Sequence, residues 1–157
     1  LNLGAGEVRE RFAAFAGVKC SIVNKAGKID DEKVHLLRNY HGAINGFGLS
    51  DDPGALVTGY NSGFQAINFA VLAGAKLIIL LGFDAKEPTD APGHFHGEHP
   101  EREPHQVFAL YRRSFSQAET PLKTAGVTVL NASPETGIDT FEKVCLTAAL
   151  ARVRLAG

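Results

Sequence analysis

A chain of 157 residues with 45% hydrophobic and 21% charged residues can bury a core of its own without disulfide or metal staples. Its 16 basic and 17 acidic residues leave a net charge of -1 with no long run of either sign, so the electrostatic footprint of a nucleic-acid or acidic-lipid binder is missing. No apolar run approaches the roughly 18 to 20 residues of a membrane span, and Leu1-Asn2-Leu3-Gly4 lacks the regions of a secretory signal. Neither nucleic acid nor membrane is an expected partner, and the cytoplasm is the expected compartment.

Residues 5 to 16 place Val8, Phe12 and Phe15 at helical spacing, with Gly17 where a helix closes. Lys19-Cys20-Ser21-Ile22-Val23 is short and rich in strand formers, and Asn24-Lys25-Ala26-Gly27 ends it. Asp30 and Asp31 favour a helix over residues 33 to 38, with Val34 and Leu37 facing inward. The stretch from Gly42 to Gly63, rich in Gly, Asp, Ser and Pro, reads as a surface loop with at most brief strands near Ala43-Ile44 and Leu56-Val57.

From Ser62 to about Ala73 the positions Phe64, Ile67, Ala70 and Val71 follow the helical period, and Gly74 supplies the stop. The unbroken run Leu77-Ile78-Ile79-Leu80-Leu81 predicts a central parallel strand buried on both faces. A second polar loop covers residues 85 to 104. Phe108, Tyr111 and Phe115 then mark a helix from His105 that Pro121 breaks or kinks, Val127-Thr128-Val129-Leu130 a last strand, and residues 147 to 153 a terminal helix. This order predicts an α/β fold of Rossmann-like type, a three-layer sandwich around a mainly parallel sheet. Cys20 and Cys145, far apart among apolar neighbours, are expected to be buried free thiols of a reducing compartment. With no methionine even at position 1, the chain reads as a single domain over residues 1 to 157. It is expected to be a fragment of a longer parent and to lack that parent's N-terminal strand.

In an open parallel sheet, ligands bind outside the carboxyl ends of the strands, which directs attention to Asn24, Gly82-Phe83-Asp84 and Asn131-Ala132-Ser133. Thr58-Gly59-Tyr60-Asn61-Ser62-Gly63 feeds directly into a helix, whose first N–H groups suit a phosphate. Asn61 or Ser62 serves equally as a helix cap with no ligand. The stretch lacks the lysine of a P-loop and the spacing of G-x-G-x-x-G. Asp84, at the end of a buried strand, is expected to be partly desolvated, as a ligand for a hydroxyl, a ring nitrogen or a metal, or else as a turn cap.

Gly93-His94-Phe95-His96-Gly97-Glu98-His99-Pro100 holds three of the six histidines, and His105 lies just beyond. Three roles stay open for it: a general base or phosphate contact, a divalent metal site matching no standard zinc motif, or turn caps in a solvated loop. Tyr60, Arg112 and Arg113 are weaker candidates, with a solvated helix face the simpler reading of the two arginines.

The segments Asn61-Ser62-Gly63-Phe64-Gln65-Ala66-Ile67-Asn68, Gly74 through Asp84, and His94 through Pro100 together resemble a group of phage and prophage proteins of norphogenetic type. More distantly, the helix-strand unit ending in Gly82-Phe83-Asp84 is similar to that of bacterial sialyltransferases using a cytidine-monophosphate sugar donor. It is also similar to the related domain of motility-associated glycosyltransferases and archaeal pterin pyrophosphokinases. The resemblance implies that Asn61, Ser62 and Gly63 contact nucleotide phosphate or ribose, that Asp84 sets the site, and that His96 or His99 is the base. Together with the strand-end reading, the candidate ligand-binding set is Asn61, Ser62, Gly63, Gln65, Gly82, Asn131 and Ser133, and the candidate catalytic set His96, His99 and Asp84.

The function implied is a nucleotide-sugar-binding, glycosyltransferase-like enzyme of phage origin in the host cytoplasm. The alternatives are a non-catalytic phage binding or assembly protein and a metal-dependent hydrolase or pyrophosphokinase.

Overall fold

The computed structural model describes residues 5–23, 34–40, 48–86 and 105–156. Helix α1 (Ala5–Ala14) is followed by strands β1 (Lys19–Val23), β2 (Val34–Tyr40) and β3 (Ala55–Val57), then helix α2 (Ser62–Leu72) and strand β4 (Leu77–Leu80). Helix α3 (His105–Thr124), strands β5 (Thr128–Asn131) and β6 (Glu142–Lys143), and helix α4 (Leu146–Ala156) complete the order. The described strands form two three-stranded sheets, ordered β1-β2-β3 and β4-β5-β6, and every ladder between them is parallel. Among the described residues the architecture is therefore α/β with small parallel sheets and no barrel.

Most elements fall where the periodicity puts them. The helix expected over residues 33 to 38 is instead strand β2. Val34 and Leu37 are both buried, as the i, i+3 spacing requires, but a parallel register with β1 (Lys19 against Val34, Val23 against Arg38) and with β3 (Arg38 against Ala55) fixes the segment as extended. Pairing on both sides overrides a local pattern this short.

Among the described strands β4 is an edge of its sheet and β5 the middle, contrary to the central position expected of the apolar run. Leu80 is buried while Leu77, Ile78 and Ile79 are only partly covered, and Leu81 lies beyond the strand with 57% of its surface exposed. Helix α3 runs unbroken past Pro121, whose carbonyl still accepts from the Ala125 amide at 3.0 Å. Cys20 and Cys145 are free as expected but exposed rather than buried, one on edge strand β1 and the other at the lip of α4.

One large core joins both sheets. Val57 of β3, Phe64 and Ile67 of α2, Leu80 of β4, Phe115, Ala118 and Leu122 of α3, and Val129 of β5 pack together with Ile138 and Phe141. Phe115 is its hub, meeting Phe64, Phe83 and Phe141 edge to face at centroid distances of 5.7, 6.2 and 6.3 Å. A smaller cluster of Leu130, Ala132 and Ala149 lies under α4. Among the described residues, no helix is long and apolar enough to cross a membrane.

Candidate functional site

The chain leaves β3 through a tight turn. The Asn61 amide donates to the Thr58 carbonyl at 3.2 Å, and both central residues, Gly59 (φ +51°) and Tyr60 (φ +60°), are left-handed. Only glycine fits at 59 for a second reason: a Cβ there would lie 2.1 Å from the Phe64 ring. Asn61 then caps α2. Its Oδ1 accepts from the Phe64 amide and its Nδ2 donates to the Gly59 carbonyl, both at 2.7 Å. The first bond of the helical ladder is Gln65 N to Asn61 O, at 3.3 Å, so the amides of Ser62 and Gly63 stand outside it. From beneath, the buried Ser114 hydroxyl of α3 donates to the Gly59 carbonyl at 2.7 Å.

Gly63 joins this turn to the end of β4, because a Cβ at that position would sit 2.7 Å from the Phe83 ring. The missing side chain lets Phe83 close against the start of α2. Beyond it the backbone enters a left-handed conformation at Ala85 (φ +46°), after Gly82 (φ +74°). The segment is fastened by remote groups: Phe83 N donates to Ser133 Oγ (2.8 Å), Thr136 Oγ1 donates to Phe83 O (2.7 Å), Gly137 N donates to Asp84 O (2.7 Å), and Arg112 Nη1 donates to Ala85 O (2.9 Å).

The loop after β5 therefore reaches the same edge. Asn131, almost fully buried, accepts from Ser133 N at 3.1 Å and donates to Thr136 Oγ1 at 3.2 Å and to the Ile138 carbonyl. Ion pairs flank the loop. The Lys86 ammonium, hydrogen-bonded to Glu135 at 2.6 Å, holds that carboxyl below the usual glutamate range, and Lys143 does the same for Asp139.

The structure thus brings Asn61, Ser62 and Gly63, beyond the carboxyl end of β3 in one sheet, next to Gly82, Asp84, Asn131 and Ser133, beyond the carboxyl ends of β4 and β5 in the other, through contacts of Gly63 with Phe83 and of Ser133 and Gly137 with residues 83 and 84. Gln65 sits half-buried on the first turn of α2. Asn61, Asn131 and Ser133 spend side-chain polar atoms on the fold's own hydrogen bonds, so the capping alternative describes what Asn61 does here. Asp84 is exposed, against the expectation of partial desolvation, because β4 ends at Leu80 and the chain has already turned outward. Arg112 is more than a solvated helix residue, since it braces Ala85.

His96, His99 and the whole of residues 93 to 100 lie outside the described residues, as do Asn24 and residues 43 and 44. Among the described residues no group of three His, Cys, Asp or Glu side chains could hold a metal.

Three contributors escaped the sequence reading. Asn68, completely buried, accepts from Ser50 N (3.1 Å) and Val57 N (2.9 Å) and donates to Ser50 O (3.1 Å), locking α2 to β3 and to the loop before it. The signal was available, because Asn68 follows Phe64 by four residues on the apolar face of the helix. Ser114 and Thr136 gave no signal, since their partners are 55 and 53 residues away. A cavity of about 300 Å³ at the end of α1, lined by Ala13 to Gly17 and Lys19, shares no residue with this edge. There the buried Lys19 ammonium satisfies the Ala13 carbonyl at 3.0 Å, as a cation at a helix C-terminus should. No family model, curated protein or solved structure matches the chain.

Proposed function

We propose that this chain is a nucleotide-binding, glycosyltransferase-like domain of a phage or prophage protein, built as a Rossmann-like three-layer sandwich and working in the host cytoplasm. The observation that carries the reading is the meeting of three segments, residues 58–63, 82–85 and 131–137, each just beyond the carboxyl end of a parallel strand (β3, β4 and β5), the kind of place where parallel α/β sheets bind ligands. Ser62 and Gly63 offer backbone N–H groups at the start of α2 to a phosphate of the nucleotide or nucleotide sugar. Asp84 offers an exposed carboxylate to a hydroxyl, and His96 or His99 takes the proton of the acceptor. Helices α2 and α3 on one side of β4 and β5, with α4 on the other, support the sandwich. Two free, exposed thiols support a reducing compartment.

A thermal-shift screen against cytidine and uridine nucleotides, their sugar conjugates and divalent metals tests the reading. A nucleotide at 100 times its dissociation constant stabilises the fold by about 2.7 kcal/mol, or several degrees. Stabilisation by a divalent metal alone transfers the proposal to a metal-dependent hydrolase or pyrophosphokinase.

One observation favours a non-catalytic phage binding or assembly protein: Asn61, Asn131 and Ser133 are occupied with structural hydrogen bonds. Unchanged ligand affinity and unchanged phage yield after replacing His96 and His99 by alanine would select that reading.

A further inference from the structure

The backbone around Asp84 is fastened on every side, while its side chain is fastened to nothing among the described residues. Phe83 N, Phe83 O, Asp84 O and Ala85 O are each hydrogen-bonded to a group far along the chain. These bonds hold Ala85 in a left-handed conformation that a residue with a Cβ adopts only when its surroundings impose it. The Asp84 carboxylate stands exposed above this support.

At the centre of the clamp is Thr136. Its hydroxyl donates to Phe83 O (2.7 Å) and accepts from Asn131 Nδ2 (3.2 Å) and Ile138 N (3.0 Å), which uses its one donor and both acceptor positions. The hydroxyl has no freedom to rotate elsewhere, and the buried Asn131 that orients it is itself held by Ser133 N.

We infer that Thr136 is a positioning residue for the site, acting through the Phe83 carbonyl to present the Asp84 carboxylate to a ligand hydroxyl. The inference rests on the nucleotide reading above. A carboxylate accepts hydrogen bonds only, so it selects the donor end of a ligand, a sugar or ribose hydroxyl rather than a phosphate. Fixing the peptide on both sides of Asp84 removes an ordering cost from binding.

Affinities of cytidine 5′-monophosphate and uridine 5′-diphosphate are measured by calorimetry for the wild type, Asp84→Asn, Thr136→Val, Thr136→Ser and the double variant Asp84→Asn/Thr136→Val, with a melting curve for each. Asp84→Asn and Thr136→Val should each weaken binding about tenfold, the loss of one well-placed hydrogen bond to a charged group. Thr136→Ser should restore most of the affinity, and the double variant should bind no worse than Asp84→Asn alone. The positioning role is overturned if Thr136→Val lowers the melting temperature without changing affinity, or if its cost persists in full in the Asp84→Asn background. Wild-type binding that Asp84→Asn leaves untouched overturns this inference and spares the nucleotide site, whereas a wild type that binds neither nucleotide overturns both. Should Thr136→Val not fold, Thr136→Ala, which removes the same hydroxyl from the Phe83 carbonyl, replaces it in the cycle with the same outcomes.

Discussion

On one face of the β4–β5 pair, Ile78, Leu80 and Val129 meet α2 and α3 through Phe64, Ile67, Phe115 and Leu122. On the opposite face Leu77, Ile79 and Leu130 lie under α4, and Ala149 is the buried apolar contact this helix makes among its described side chains. The first face is closed by large rings in edge-to-face contact. The second leaves Leu146, Leu150 and Val153 of α4 between 42 and 51% exposed. Only the first face continues into the candidate site, because Phe115 touches Phe64 at the start of α2 and Phe83 beside Asp84. Packing and site geometry are therefore one problem on that face and separate problems on the other.

Removing the hub should have the largest effect. Phe115→Ala takes away a ring with 2% exposure and three aromatic neighbours, and should cost about 3 to 5 kcal/mol, a fall of roughly 10 °C or more in melting temperature. Next comes Asn68→Leu, which conserves volume but orphans Ser50 N, Ser50 O and Val57 N; about 3 kcal/mol should be lost in denaturant unfolding. Gly59→Ala follows at about 2 kcal/mol, since it adds a left-handed alanine and a clash with Phe64, and it should also loosen the α2 start, read as faster amide exchange at Phe64. By contrast Leu150→Ser, on the thin face, should stay within about 0.5 kcal/mol of the wild type. A loss as large as that of Phe115→Ala would break the comparison, and would mean that α4 is held by far more than Ala149.

The same contrast explains how much was legible in the sequence. Long periodic segments declared themselves: α2 and α3 alternate apolar and polar at the helical period, and β1 and β5 appear within a residue of their expected limits. Segment 34–40 did not, because Val34 and Leu37 fit a helical face as well as they fit opposite faces of a strand, and the decision lies in partners on β1 and β3. The apolar run of β4 implied a central strand buried on both faces, a statement about neighbours that the run itself does not contain. At the site, the Asn-Ser-Gly turn and the glycine before Phe83 were readable as local chemistry. The support from Ser114, Thr136 and Arg112 was not, because each reaches a backbone carbonyl distant in sequence and leaves no periodic trace.

The smallest expected effect concerns what charge adds to the thin face. Arg152 of α4 donates two hydrogen bonds to Glu142 of β6, at 2.8 and 2.6 Å, which hold the Glu142 carboxyl below the usual glutamate range. A carboxyl depressed in the folded state binds its proton more readily in the unfolded chain. Its contribution is therefore complete above the ordinary glutamate range and is lost as the pH falls through the depressed value. Both side chains are solvent-exposed, so the contribution is small and screened by salt. Melting curves of the wild type and Glu142→Gln should differ slightly at neutral pH and low salt, then converge on acidification and equally in high salt. Curves that stay parallel into acid would show that the pair contributes nothing, leaving α4 held by Ala149 and its partly covered neighbours, whereas convergence would show that electrostatics supplement burial where the apolar layer is thin.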